Sequence, residues 1–356
     1  VPKIGLQPYV PNPNIWEGVE ESLSRIFWDI IFAGLSKIIH DEMKIEYPQL
    51  DFGGLGRARE SASDTELSIL SRALRNGKVQ YSAGKFSGGF NATLSRILLD
   101  LGAKYNETEK VYTIADELVP KNIKVSADSY LEKCKSANKK LMKYLKETYL
   151  KITQKGTKIT PTQLGADVAI SKMVKDFDDH TRDAANQLSL TFDIPTKEDI
   201  KKMEAEYTRN MELWVKKFSK EQISELRKIT EANARQGYRS DKLISEIQSR
   251  YDVCESKAKF LARQETALFV SKYSENKYLK ANINRYVWRT AGDNDVRPGH
   301  RELNGRIFDF KTKAPAKYMS TGKPENAGED FNCRCVGVPL VETEKTAKIK
   351  TGEFLR

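Results

Sequence analysis

The 356-residue chain holds only three histidines and four cysteines, and they are unevenly spread. His300, Cys333 and Cys335 fall in one short region near the C-terminus, together with Asp293, Asp295, Arg297, Asp309 and Asp330. Imidazole and thiolate are the preferred ligands of zinc, and a tetrahedral site wants four donors. His300, Cys333 and Cys335 are therefore candidate metal ligands, with Asp293, Asp295, Asp309 or Asp330 available to complete the set. A second chemistry needs no metal. Arg297 pairs with Asp293 or a nearby acid, as a fork-shaped lock for a loop-rich domain. His300 is then a hydrogen-bonded core residue, Trp288, Phe308, Phe310 and Phe331 supply apolar mass, and Gly292, Gly299 and Gly305 permit tight turns. A third chemistry is catalytic. Asp, His and Arg together suit a phosphodiesterase or transferase, but a Cys nucleophile would need a positioned base. A Cys333–Cys335 disulfide would close too small a loop without strain. The expectation carried forward is a structural motif of Trp288, Asp293, Arg297, His300, Gly305, Cys333 and Cys335 without a required cofactor, zinc being the cofactor to test.

The order of these residues is itself a signature. The run Tyr286 to His300 reads Y-V-W-R-T-A-G-D-N-D-V-R-P-G-H; Leu303-Asn304-Gly305-Arg306-Ile307-Phe308 follows, and Asn332-Cys333-Arg334-Cys335 closes it. It resembles the C-terminal domain of minor head proteins of tailed bacteriophages, the Mu protein F / SPP1 protein 7 type. The resemblance runs from about Lys201 to Pro339 and takes in the helices before the motif, Phe218 to Asn282. It implies a structural virion component in head morphogenesis, at or near the portal, acting in DNA packaging or ejection. It implies the portal protein or the major capsid protein and viral double-stranded DNA as partners, and the phage head as location, reached through the host cytoplasm. Some relatives carry Cys at the position of His300 or of Arg297, and others carry His just before the C-R-C, where this chain has Asp330-Phe331. In relatives a run similar to Arg263-Gln264-Glu265-Thr266 sits on the last long helix, where a buried Arg or Thr would bond to the C-terminal motif.

Helices must position this motif. Thr196 with Asp199 opens a helix at 196 carrying Met203, Tyr207, Met211 and Trp214. Ser219 with Gln222 has the spacing of a capping box and predicts a fresh helix that ends at Gly237. Ser240-Asp241 and Asp252 with Glu255 predict two more starts. The segment 196–340 is thus expected to be a helical approach followed by a compact α+β domain, with 341–356 as a tail.

The first half reads as helical with small hairpins. Residues 1–13 hold four prolines and form an extended arm, of a kind that often lies on a neighbouring subunit. Asn14 is expected to cap a helix with Ile15, Trp16, Val19, Leu23, Ile26, Phe27, Ile30 and Ile31 at 3.6-residue spacing. Asp51 to Gly56 is a glycine-rich break, and Asp64 to Gly77 a capped and terminated helix. Segment 78–120 predicts two hairpins around a helix begun by Asn91, within a helical region 14–192. A helix over 126–154 is rich in lysine. Lys133, Lys139, Lys140 and Lys143 could track DNA phosphates, while Tyr130, Tyr144 and Tyr149 sit at packing positions. The fold class is α+β, predominantly helical.

Composition bounds the alternatives. The net charge of +11 favours contact with a polyanion. Cys134 and Cys254 lie in helical patterns and read as buried thiols of a reducing compartment. The apolar stretch Ile26–Leu35 is short and interrupted by Asp29, so no stable membrane anchor is expected. The N-terminal residues lack a signal-peptide pattern. No small-molecule substrate is implied. The enzyme alternative, a metal-dependent nuclease or a toxin-like phosphodiesterase, would have to draw its activity from the motif itself, since the chain ends shortly after Cys335.

Overall fold

The computed structural model describes residues 7–43, 66–75, 77–187, 190–238, 240–341, 348 and 350–354. The break at Asp51–Gly56, the cap at Asp64, the stop residue Asn76 and most of the tail lie outside them. The chain is predominantly helical, with small antiparallel sheets. It divides into two compact units, each built from separated segments. One holds 1–25, 157–215 and 255–356; the other holds 26–156 and 216–254.

The predicted helix after Pro13 is α1 (Asn14–Phe27), whose end enters the second unit, then a π-helical turn at Trp28–Phe32 and α2 (Ala33–Met43). The preceding Asn12, not Asn14, carries the cap-like side-chain bond: its Oδ1 accepts from the Asn14 amide at 3.1 Å. Trp28 and Phe32, on the π turn, pack against Tyr251, with centroids 5.6 and 5.3 Å away. Helix α3 (Glu66–Arg75) leads into β1 (Val79–Ser82) and β2 (Lys85–Gly88). Helix α4 (Ala92–Asp100) is capped by Asn91, whose side chain accepts from Leu94 N at 2.9 Å. Strands β3 (Lys104–Asn106) and β4 (Val111–Thr113) follow. The two predicted hairpins join into one sheet, ordered β1-β2-β4-β3, because β2 pairs with β4. Leu70, Leu74, Phe86, Leu94, Leu98 and Ile123 pack beneath it in one apolar cluster. Helix α5 (Lys121–Lys155) is the lysine-rich element. It meets α2 so closely that a Cβ on Gly34 would run into the Tyr144 ring.

The first unit starts with irregular backbone at 7–12. Sequence suggested an arm free to lie on a neighbour, yet its described part docks on its own chain: Tyr9 is buried against Phe177, and Gln7 O meets His180 Nε2 at 3.1 Å. Helices α6 (Pro161–Leu164) and α7 (Ala166–Gln187) are separated by Gly165, whose φ of 73° is left-handed and suits glycine. Helix α8 runs unbroken from Lys197 to Arg235, and α9 from Ser240 to Lys280. The extra helix starts predicted at Ser219 and Asp252 are therefore corrected. Ser219 is fully buried mid-helix and Asp252 lies inside α9. Neither helix contains a glycine or proline, so nothing in the backbone stops it at those points. The Thr196–Asp199 start is real: the two residues exchange bonds of 3.0 and 3.2 Å in a reciprocal cap. Strands β5 (Arg285–Arg289), β6 (Ile307–Asp309) and β7 (Val336–Leu340) form an antiparallel sheet ordered β6-β5-β7, with helix α10 (Pro298–Leu303) between β5 and β6. Among the described residues no helix is long and apolar enough to cross a membrane.

Candidate functional site

The C-terminal motif is folded around strand β5. Tyr286 and Trp288 are fully buried, and Phe308 and Phe310 pack on them. Phe331 departs from the expected core: it is 43% exposed and rests on Phe260. Trp288 exchanges backbone bonds with Arg306 O and Gly305 N, at 2.9 and 2.8 Å. Gly305, with φ 82°, supplies the reversal between α10 and β6. Gly299 serves closeness rather than a turn, since a Cβ there would lie 3.0 Å from Tyr318 O.

His300 stands on α10 beside Trp288 and is only 2% exposed. Its two ring nitrogens have different company. Nε2 lies 2.9 Å from Oδ2 of Asp330. Nδ1 faces the sulfurs of Cys333 and Cys335, at 3.5 and 3.6 Å. Both thiols are buried, and the backbone N–H of Cys335 donates to Cys333 Sγ at 3.4 Å. The three donor atoms lie within 4.8 Å of one another, and theirs is the metal-competent cluster among the described residues.

Asp330 is completely buried and heavily bonded. Besides His300 it accepts from the Phe331 amide at 2.7 Å, the Ser320 amide at 3.0 Å and the Ser320 hydroxyl. Burial alone would raise its carboxyl, but these bonds and the nearby Arg297 hold it below the ordinary range. Burial likewise opposes charge on His300, and Cys333 and Asp330 outweigh it to raise the imidazole. The Cys335 side chain bonds toward Cys333 and pulls that thiol down to about 5, against burial; Cys335 rises in turn.

The remaining candidates frame this centre. Arg297 donates to Phe331 O at 2.5 Å and stands 3.6 Å from Asp330. It does not pair with Asp293, which instead holds Arg334 at 2.6 Å. The acids proposed to complete a metal site are placed otherwise. Asp330 serves the far side of the imidazole, Asp293 and Asp295 face Arg334, and Asp309 accepts from the amides of Lys311 and Thr312. On α9 the bond to the motif comes from Gln264, whose Oε1 accepts from the Asn332 amide. Arg263 and Thr266, the residues expected there, are placed otherwise: Arg263 is exposed, and Thr266 meets Tyr207 at 3.2 Å. The signal missed was positional: Asn332 has a left-handed φ of 50°, a turn whose amide needs an acceptor from outside.

Chemically, the centre can bind a soft cation or poise a thiolate. Cys333, His300 and Asp330 also align as a thiol, base and orienting acid. At 6%, 2% and 0% exposure, however, they offer a substrate little access.

A family comparison bears on the same region. Residues 224–338 match the family described as Phage Mu protein F like protein. This part of the chain is similar to that family. The Mu F-like region thus spans the end of α8, all of α9 and the β5–β7 sheet with its histidine–cysteine centre. Head morphogenesis is the function the family suggests. An "Uncharacterized protein" of Haemophilus influenzae strain Rd is 28% identical over 103 residues. Those residues make up 29% of this chain and 22% of that protein, so the match spans under a quarter of the relative's length. No solved structure matches this chain.

The lysines proposed for DNA lie on α5, in the other unit. Lys139, Lys140 and Lys143 are exposed and Lys133 is half-buried. Lys140 pairs with Glu42, and Lys143 lies 3.9 Å from Glu147. Tyr130 is buried rather than available to stack on bases.

Proposed function

We propose that this chain is a minor head protein of a tailed bacteriophage, placed at or near the portal and acting in head assembly and in DNA packaging or ejection. The observation that carries this reading is the Mu F-like match, which covers the whole constellation from Trp288 to Cys335. The buried state of His300, Asp330 and both thiols supports a structural rather than an enzymatic use of that motif. The partners are the portal or major capsid protein, and the location is the virion head, after assembly in the host cytoplasm. Viral double-stranded DNA is met through exposed lysines of α5, Lys139 and Lys143 foremost, in a chain of net charge +11.

Two experiments test it. A tagged chain lacking residues 1–45 should fail to enter phage heads; because Trp28 and Phe32 pack on Tyr251, its fold is checked alongside by circular dichroism, and normal incorporation would refute a head-binding role for that segment. Replacing Lys139, Lys140 and Lys143 with Glu should weaken binding of the full chain to duplex DNA of any sequence. It should also flatten the salt dependence by roughly 0.9 in log–log slope for each phosphate no longer neutralised. An unchanged slope would move the DNA-binding surface elsewhere.

A further inference from the structure

We propose that His300 Nδ1, Cys333 Sγ and Cys335 Sγ bind one zinc ion, with Asp330 as the acid that orients the imidazole and with the fourth position left to solvent. The argument is geometric. Zinc bonds of about 2.0–2.1 Å to nitrogen and 2.3 Å to sulfur, at tetrahedral angles, put each sulfur about 3.6 Å from the nitrogen. The observed separations are 3.5 and 3.6 Å. With its Nε2 hydrogen directed at Asp330, the neutral ring turns its Nδ1 lone pair toward the space between the two sulfurs, where a common cation would sit.

The surroundings follow the same logic. A metal-bound histidine characteristically gives its other N–H to a carboxylate, which fixes tautomer and ring angle. Asp330 does this while itself held by Ser320 and by the Phe331 amide. The Cys335 N–H pointing at Cys333 Sγ suits a sulfur that carries charge. Beside the three donors lies a cavity of about 90 Å³, lined by Ala291, Asp295 and Arg297 among others, with room for a solvent ligand. Binding releases the thiol protons to solvent and leaves two thiolates that neutralise the dication.

The test uses the full chain, expressed with zinc in the medium and purified under reducing conditions without chelator. Elemental analysis by mass spectrometry should find close to one zinc per chain. It should be lost in Cys333→Ser and Cys335→Ser and kept in Cys254→Ser, whose thiol lies elsewhere on α9. Because the serine variants could fail to fold, wild-type protein is also stripped by a chelator and refilled with cobalt(II). The strong visible bands of a tetrahedral ion with thiolate-to-metal charge transfer are expected. A folded wild-type chain that holds no zinc and takes up no cobalt would overturn the proposal, as would zinc that persists in folded Cys333→Ser.

Discussion

Asp330 is the residue on which the centre turns. Its carboxylate takes four bonds, and only His300 among the donors belongs to the candidate ligand set. Asp330→Asn keeps the size and an acceptor oxygen but removes the charge behind the imidazole. If zinc is bound as proposed, this change should weaken it by roughly 10- to 100-fold, read by chelator competition on folded protein. An unchanged affinity would reduce Asp330 to a loop fastener. Much of the centre was legible because histidine and cysteine are scarce in this chain, so their clustering stands out. The acid was not. Four aspartates looked equivalent, and the choice depends on how the segment from Tyr318 to Phe331 returns under α10, which spacing does not encode. Arg297 was expected to meet Asp293 or a nearby acid; in the fold the acid is Asp330, at 3.6 Å, while Asp293 goes to Arg334, 41 residues later.

At the scale of elements, packing contradicts the letters in instructive ways. Ser219–Gln222 and Asp252–Glu255 have the spacing of helix starts, yet they lie inside α8 and α9. The same residue types occupy helix interiors when no glycine or proline interrupts the run. By contrast Thr196, Asn91 and the glycines at 165 and 237 do mark real ends. Two outcomes are expected here. Gly34→Ala would drive a methyl into the Tyr144 ring where α2 meets α5. Overpacking of this kind costs about 1–3 kcal/mol, measurable as a lower denaturant midpoint; an unchanged midpoint would mean the helices separate easily. Glu265, on α9, is buried and accepts from Trp214 Nε1 at 3.0 Å. Burial raises its carboxyl above the ordinary range. The folded state therefore holds its proton more tightly than the unfolded state does. Stability from this group is full in acid and falls as pH rises through the ordinary glutamate range up to the raised value. Glu265→Gln keeps the acceptor and should remove that fall, so its Tm should exceed wild type at neutral pH and match it in acid. Parallel curves at all pH values would contradict the assignment.

At the scale of the whole molecule, the sequence spoke most clearly through its C-terminal motif. The fold class, helical with small antiparallel sheets, was readable from periodicity and glycine punctuation. The joining of two hairpins into one four-stranded sheet was not, because β2–β4 pairing is set by residues far apart in sequence. Nor was the docking of the proline-rich arm, where Tyr9 finds Phe177 far along the chain. The proposed role concerns particles: a chain with this Mu F-like region should be part of the head. Quantitative mass spectrometry of purified, DNA-filled virions of the encoding phage tests it most directly. A handful of copies per particle, far below the major capsid protein, is the expected result. Absence of the chain from virions in which the portal is readily counted, despite its expression during infection, would contradict the claim.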